Sequence, residues 1–145
     1  MASNLGKLEI VHILLNNNAN VNLQDLENSS SALHKAAKNG HSEVCLELLE
    51  AGANIEAMDA GGWTPFIWAC YKGQVSTVEN FISRGADINA RELYNLTGLV
   101  LASGRGHNQI VELLIENNKI KVDAGDKYGT TALIWASRGG CTYYL

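Results

Sequence analysis

Ser31-Ala32-Leu33-His34-Lys35-Ala36-Ala37-Lys38-Asn39-Gly40-His41 decides the fold, because its frame returns three more times along the chain. A small hydroxyl residue followed two positions later by a large apolar one recurs at Ser31, Thr64, Thr97 and Thr131, spaced 33, 33 and 34 residues apart. Behind each anchor stand an alanine at the fifth position (Ala36, Ala69, Ala102, Ala136) and a glycine at the ninth (Gly40, Gly73, Gly106, Gly140). Self-similarity at such a period is the signature of a repeat architecture. Each part has a physical reason. The hydroxyl caps a helix, and Pro65 at a first helical position forfeits no useful hydrogen bond. Small alanines let helices approach closely, and the glycine turns the chain into a second helix. That second helix carries one apolar face, as in Val44-Cys45-Leu46-Glu47-Leu48-Leu49 and Ile110-Val111-Glu112-Leu113-Leu114. A glycine then ends it, and a polar finger such as Ala51-Gly52-Ala53-Asn54-Ile55 leads onward. One helix pair cannot bury its apolar face alone, so the units must stack.

The expectation is an all-α solenoid of stacked helix pairs with short β-turn fingers. A single stack fills residues 1–145: a partial unit at 1–24, full units at 25–57, 58–90 and 91–124, and a truncated unit at 125–145. Ala2-Ser3-Asn4-Leu5-Gly6-Lys7 matches the end of a first helix, and the chain stops where a last second helix should begin. It is therefore expected to be a fragment of a longer array that frays at its ends or self-associates end to end.

Composition bounds the function. The chain has 145 residues, 46% of them hydrophobic and 18% charged, which excludes a disordered tail. No apolar run reaches the roughly 18–20 residues that a membrane span needs. A net charge of −4 argues against nucleic-acid binding through bulk positive charge. Three cysteines (Cys45, Cys70, Cys141) and no leader point to reduced thiols in the cytoplasm. Cys45 and Cys70 are expected in the core, and Cys141 exposed and oxidisable.

These residues resemble the ankyrin repeat, whose pattern runs Thr-Pro-Leu-His-x-Ala-Ala, then Gly-His, Leu-Leu and Gly-Ala. The likeness covers the whole chain and specifies fold, not partner. Gly61-Gly62-Trp63-Thr64-Pro65-Phe66-Ile67-Trp68-Ala69-Cys70-Tyr71-Lys72-Gly73 and Asp126-Lys127-Tyr128-Gly129-Thr130-Thr131-Ala132-Leu133-Ile134-Trp135-Ala136 are similar, more narrowly, to the N-terminal repeats of the ankyrin-repeat-rich membrane-spanning scaffolds (kinase-D-interacting substrate). In that family the repeats lie on the cytoplasmic side of a membrane and gather receptors and adaptors.

The resemblance implies a concave face built from finger tips and first helices. Its variable positions supply the candidate protein-binding residues Lys38, Trp63, Trp68, Tyr71, Lys72, Tyr94, Leu101, Arg105, Tyr128, Trp135 and Arg138, with Lys35, Leu93 and Lys127 beside them. The charges segregate. The first-helix stretches 31–39, 64–72, 97–105 and 131–139 hold Lys35, Lys38, Lys72, Arg105 and Arg138 and no carboxylate. The second helices carry Glu43, Glu47, Glu50, Glu79, Glu112 and Glu116. A basic groove beneath an acidic back suits a protein partner offering an acidic segment with an apolar anchor. Two readings stay open: Trp68 and Trp135 line the groove or fill the seam between first helices, and the cations form a working field or a solvated surface.

Nothing in the chain spells chemistry. His34, His41 and His107 match the family's structural histidines, and His12 falls on a surface helix. Cys-x-x-Cys, His-Glu-x-x-His and Gly-x-Ser-x-Gly are all missing. Ser103-Gly104-Arg105-Gly106-His107 follows a helix, not a strand, and lacks a phosphate loop's lysine. No catalytic residue, metal or cofactor is expected. Asn22 and Asn89 are expected to satisfy their own turns, although asparagines so placed in the ankyrin family can be hydroxylated. Leu26, Ser29 and Asn95 depart from the finger pattern and Gly98 from the proline, which should loosen residues 25–31 and 91–98. The leading function is a non-catalytic interaction module of a cytoplasmic signalling scaffold. The alternatives are a stoichiometric ankyrin-type enzyme inhibitor or the substrate-recruiting arm of a larger enzyme.

Overall fold

A computed structural model describes the backbone of residues 2–139 and the side chains of residues 7–139. Among these residues lie eight α-helices and no strand: α1 (Ala2–Asn16), α2 (Ala32–Lys38), α3 (Ser42–Glu50), α4 (Pro65–Lys72), α5 (Val75–Ser83), α6 (Gly98–Arg105), α7 (Asn108–Ile115) and α8 (Ala132–Ser137). Helices α2, α4, α6 and α8 pack in sequence as an inner layer, and α1, α3, α5 and α7 back them as an outer one. No helix among the described residues is long and apolar enough to cross a membrane.

The repeated anchors build the repeated geometry. Ser31, Thr64, Thr97 and Thr131 all take extended backbone, and each side-chain oxygen accepts from the N–H three residues on: His34, Ile67, Val100 and Ile134. Each such cap contributes about 1 kcal/mol. Gly73 and Gly106 end α4 and α6 in the left-handed region at φ 76° and 75°. A Cβ on Gly73 would also stand 2.7 Å from the His107 ring. Leu33, Phe66, Ile67, Leu99 and Val100 from the inner layer meet Cys45, Val78, Phe81, Ile110 and Leu114 from the outer one, all buried. Burial pushes the Cys45 thiol up to about 12 and raises that of Cys70 too, so both are inert core residues. Cys141 and Gly140 lie outside the described residues.

The fingers stack through backbone hydrogen bonds that run from unit to unit. Ala60 N donates to Asn28 O at 2.9 Å, Leu93 N to Gly61 O at 3.2 Å and Lys127 N to Tyr94 O at 2.8 Å. This ladder holds the tips in one row beside the inner helices.

Four expectations need correction. The first concerns the start of the chain, where α1 runs unbroken through Gly6. After the turn glycines Gly73 and Gly106 stand Gln74 and His107, whose side chains reach back to Lys38 O and Tyr71 O of the unit before; here Lys7-Leu8 follows, and helix propensity carries through. The second concerns the fingers, which keep their closures. Asp25 Oδ1 accepts from Asn28 N and Ser30 N, and Glu92 Oε1 from Tyr94 N and Leu96 N. Ser29 (φ 55°) and Asn95 (φ 61°) take the left-handed place that Gly62 and Gly129 hold elsewhere. Their departure from the pattern costs about 1 kcal/mol of strain each, not order. The third concerns Asn22 and Asn89, which serve the next unit's turn and not their own. Asn22 takes Asn54 N at 2.7 Å and donates to Gly52 O at 3.1 Å; Asn89 takes Lys121 N and donates to Lys119 O, both at 2.9 Å. Their own turns are closed by Asn20 and Asp87.

The fourth is Gly98. A Cβ there would stand 2.8 Å from Cys70 Sγ and 3.1 Å from Phe66 Cε1, so glycine is what lets α6 close on α4. Restoring the repeat's usual proline, Gly98→Pro, is expected to destabilise the protein by about 1–3 kcal/mol through overpacking. Cys70→Ala in the same chain should recover part of the loss. Urea-unfolding midpoints check this, and a midpoint unchanged or raised by Gly98→Pro alone would overturn it.

Candidate protein-binding groove

The inner helices all end on a cation at the same end of the layer. Lys38 closes α2, Lys72 closes α4, Arg105 closes α6, and Arg138 follows α8 as its C-cap. A helix C-terminus carries partial negative charge and favours cations there. What these cations rest on is aromatic. Lys38 Nζ stands 4.5 Å from the Trp68 ring centroid, Arg105 Cζ 4.6 Å from Tyr71, Lys72 Nζ 5.6 Å from Tyr71 and Arg138 Cζ 5.9 Å from Trp135. Among the described residues none of the four lies within ion-pair distance of a carboxylate. An aromatic face positions a cation without cancelling its charge. Lys35 is the exception in the first helices: its Nζ meets Asp25 Oδ2 at 3.1 Å and is neutralised.

Trp63, Trp68 and Tyr71 form one cluster, with centroids 4.4 Å, 5.2 Å and 5.9 Å apart. The tryptophans take a role that neither sequence reading anticipated. Trp68 Nε1–H donates to Asp59 Oδ2 at 2.8 Å, while Asp59 Oδ1 closes the finger through Gly61 N and Trp63 N. Trp135 repeats the device on Asp126, at 3.3 Å, with Asp126 Oδ1 on Tyr128 N and Thr130 N. Each carboxylate thus spends one oxygen on its finger and one on its helix. The signal was present in the sequence as an aspartate nine residues before each of these tryptophans. In the third unit the corresponding acid is Glu92 and the helix offers Leu101, so Glu92 takes a side-chain hydrogen bond from Trp63 of the preceding finger. Burial raises the Glu92 pKa against the pull of these hydrogen bonds.

The structure therefore divides the predicted residues. Tyr71, Leu101 and Trp135 are buried, at 5%, 3% and 2% exposure, and are struts rather than exposed anchors. Trp63, Trp68 and Lys38 are half-buried; Lys72, Arg105 and Arg138 are exposed. Accessible apolar surface lies instead at the finger tips: Leu93, Tyr94 and Tyr128 are 70%, 46% and 68% exposed. Lys127 Nζ lies 4.4 Å from the Tyr94 ring and 4.8 Å from that of Tyr128, joining the two tips.

His34 locks this site to the first unit. Its Nε2 lies 2.8 Å from Trp63 O, an acceptor only, so Nε2 carries the proton and Nδ1 accepts from Ser31 N and Ser31 Oγ. Burial lowers its pKa. A histidine depressed in the folded state stabilises the neutral form, so its contribution is lost as pH falls below the ordinary value of about 6.5. Glu92, being raised, acts with the opposite sign: its contribution is present at low pH and is lost as pH rises through the carboxylate range. The stability gap between wild type and His34→Asn is therefore expected to narrow from pH ~7.5 to pH ~5.5, read from urea midpoints. A gap that holds constant or widens would contradict the assignment. His107 Nε2 makes the corresponding bond to Tyr71 O at 2.8 Å. Among the described residues no three His, Cys, Asp or Glu side chains are placed to hold a metal ion.

Comparison with known proteins agrees with this geometry. A sequence profile described as ankyrin repeats (three copies) matches residues 1–92 and 91–144. Alpha-latrotoxin-Lh1a of Latrodectus hasselti is 35% identical over 118 residues, 79% of this chain and 9% of the toxin. The ankyrin repeat and KH domain-containing protein mask of Drosophila melanogaster is 39% identical over 108 residues, 73% of this chain and 3% of that protein. The homologous mask-1 of Caenorhabditis elegans is 35% identical over 115 residues, 78% and 4% respectively. The chain spans less than a tenth of the length of these relatives. Ankyrin repeats are protein–protein interaction modules and are generally non-catalytic. With helix pairs, glycine turns and stacked fingers in place among the described residues, and the ankyrin profile matched over residues 1–92 and 91–144, the chain belongs to the ankyrin-repeat family.

Proposed function

We propose that this chain is a protein-binding module whose concave side takes an acidic segment carrying an apolar anchor. The observation that carries the reading is the row of Lys38, Lys72, Arg105 and Arg138, set on aromatic faces and facing no carboxylate among the described residues. The groove floor supplies charge, and Leu93, Tyr94 and Tyr128 at the tips supply the apolar contact. The module serves as part of a cytoplasmic signalling scaffold; the buried thiols of Cys45 and Cys70 suit a reducing compartment. The test is an acidic peptide bearing one aromatic residue. Binding that weakens steeply with salt supports the reading; affinity indifferent to salt removes it.

The isolated chain also associates end to end in this reading. Leu33, Phe66 and Leu99 are at most 2% exposed, whereas Leu133, their counterpart on α8, is 77% exposed. At the other end Leu14 is 54% exposed, where its counterparts Leu48, Phe81 and Leu114 are buried. Such faces are halves of the internal seam.

A further inference from the structure

We propose that the partner's acidic residues come as one block, three within a stretch of about four, seated on the aromatic cluster of α4. The inference rests on the acidic-segment reading above and specifies where the partner's charge lands and how it is distributed along the partner.

The cations of the inner layer are gathered on one helix. Trp68 and Tyr71, about one turn apart on α4, have ring centroids 5.9 Å apart. Lys38 comes from α2 onto Trp68, Arg105 from α6 onto Tyr71, and Lys72 of α4 itself onto Tyr71. These contacts, at 4.5 Å, 4.6 Å and 5.6 Å, keep Lys38 and Arg105 within about 15 Å of each other, and Lys72 and Arg105 within about 10 Å. Arg105 Nη1 also donates to Tyr71 Oη at 3.4 Å, which ties it to this ring. Arg138 rests instead on Trp135 of α8, with α6 lying between α8 and α4. Three of the four inner-layer cations therefore share one focus.

No ion pair among the described residues cancels them. Asp59, which holds the Trp68 indole through Oδ2, has Oδ1 on Gly61 N and Trp63 N. Like charges brought this close reinforce one another's field, and an anion entering the focus meets all three. A run of four residues spans at most about 14 Å when fully extended and less in any other conformation. Its carboxylates stay inside the focus whatever backbone the partner adopts. The same three charges spread over an extended dozen residues reach about 40 Å, so most of them fall outside it.

The apolar contact adjoins the charges. Trp63 continues the cluster, its centroid 4.4 Å from that of Trp68. Beside it Leu93 covers Gly62, where a Cβ would stand 3.2 Å from Leu93 Cγ, yet Leu93 itself remains exposed. The residue flanking the acidic block meets Trp63 and Leu93, so the apolar anchor stands directly beside the block.

The experiment compares two peptides of about twelve residues and identical composition, each with three glutamates and one phenylalanine. In one the glutamates are consecutive and flank the phenylalanine; in the other they stand at both ends and in the middle. Fluorescence anisotropy against the whole 145-residue chain reads the affinities at low salt, with circular dichroism on every variant. The block peptide is expected to bind about tenfold tighter than the dispersed one. Lys38→Gln and Arg105→Gln should each weaken the block peptide about fivefold, and Arg138→Gln about twofold. Lys119→Gln, which removes the same charge beyond α7 and outside the inner layer, should change it less than Arg138→Gln does. Equal or tighter binding of the dispersed peptide, or a loss at Arg138 equal to that at Arg105, overturns the focus and leaves the acidic-segment reading in place. If neither peptide binds even at low salt, that reading falls and the focus with it.

Discussion

Trp63→Ala is expected to destabilise the protein by about 3 kcal/mol, well beyond what a half-buried surface residue usually costs. Three losses combine. The ring stacks on Trp68 at 4.4 Å and meets Tyr71 edge-on at 5.2 Å, so its removal leaves both neighbours partly uncovered. Its side chain also hydrogen-bonds Glu92, a carboxylate only 5% exposed. Without that donor a buried charge stands less compensated, which is costlier than losing an exposed hydrogen bond. Third, the Trp63 carbonyl receives His34, so disorder in this finger loosens the tie between the first two full units. Trp63→Phe separates the contributions: it keeps most of the stack, loses the donor, and should cost about 1 kcal/mol. Because burial raises the Glu92 pKa, the deficit of Trp63→Ala should shrink as pH falls and Glu92 takes up its proton. Urea-unfolding midpoints of the three proteins read this, and a loss under about 1 kcal/mol for Trp63→Ala would contradict the network.

The fold was legible because its determinants are local and repeated. A hydroxyl at a helix start and a glycine at its end act through their own backbone, and four aligned copies make the pattern hard to miss. The candidate site was legible in its charges for the same reason: Lys38, Lys72, Arg105 and Arg138 sit in matching turns of matching helices. Partnerships across units were not. The neutralisation of Lys35 by Asp25, the hold of Asp59 on Trp68 and the reach of Asn22 to Gly52 and Asn54 all depend on which finger bends toward which helix. Residue type alone marks a tryptophan as a binding anchor, yet a carboxylate nine residues earlier claims its N–H and turns it into a strut. Gly98 read as a lapse from proline until the sulfur of Cys70 filled the space its side chain would need.

Reversing two of the four inner-layer cations, Lys72→Glu with Arg105→Glu, is expected to weaken capture of an acidic segment by about a hundredfold or more. Two attractions become repulsions at the centre of the row, and like charges brought together across an interface cost several kcal/mol. Both side chains are exposed and neither meets a carboxylate among the described residues, so folding loses no ion pair. The cost to stability is the helix C-terminal preference for a cation, about 0.3–1 kcal/mol at each site, together with the cation–aromatic contacts on Tyr71. Helicity should therefore persist while binding goes. The most direct measurement is titration of one acidic, aromatic-bearing peptide into wild type and the double variant at about 50 mM and about 500 mM salt, with circular dichroism on the same samples. Wild type is expected to bind with an affinity that falls steeply with salt, and the variant, at unchanged helicity, to bind about a hundredfold or more weaker at the low salt. Equal affinity of the two proteins at both salt concentrations would contradict this.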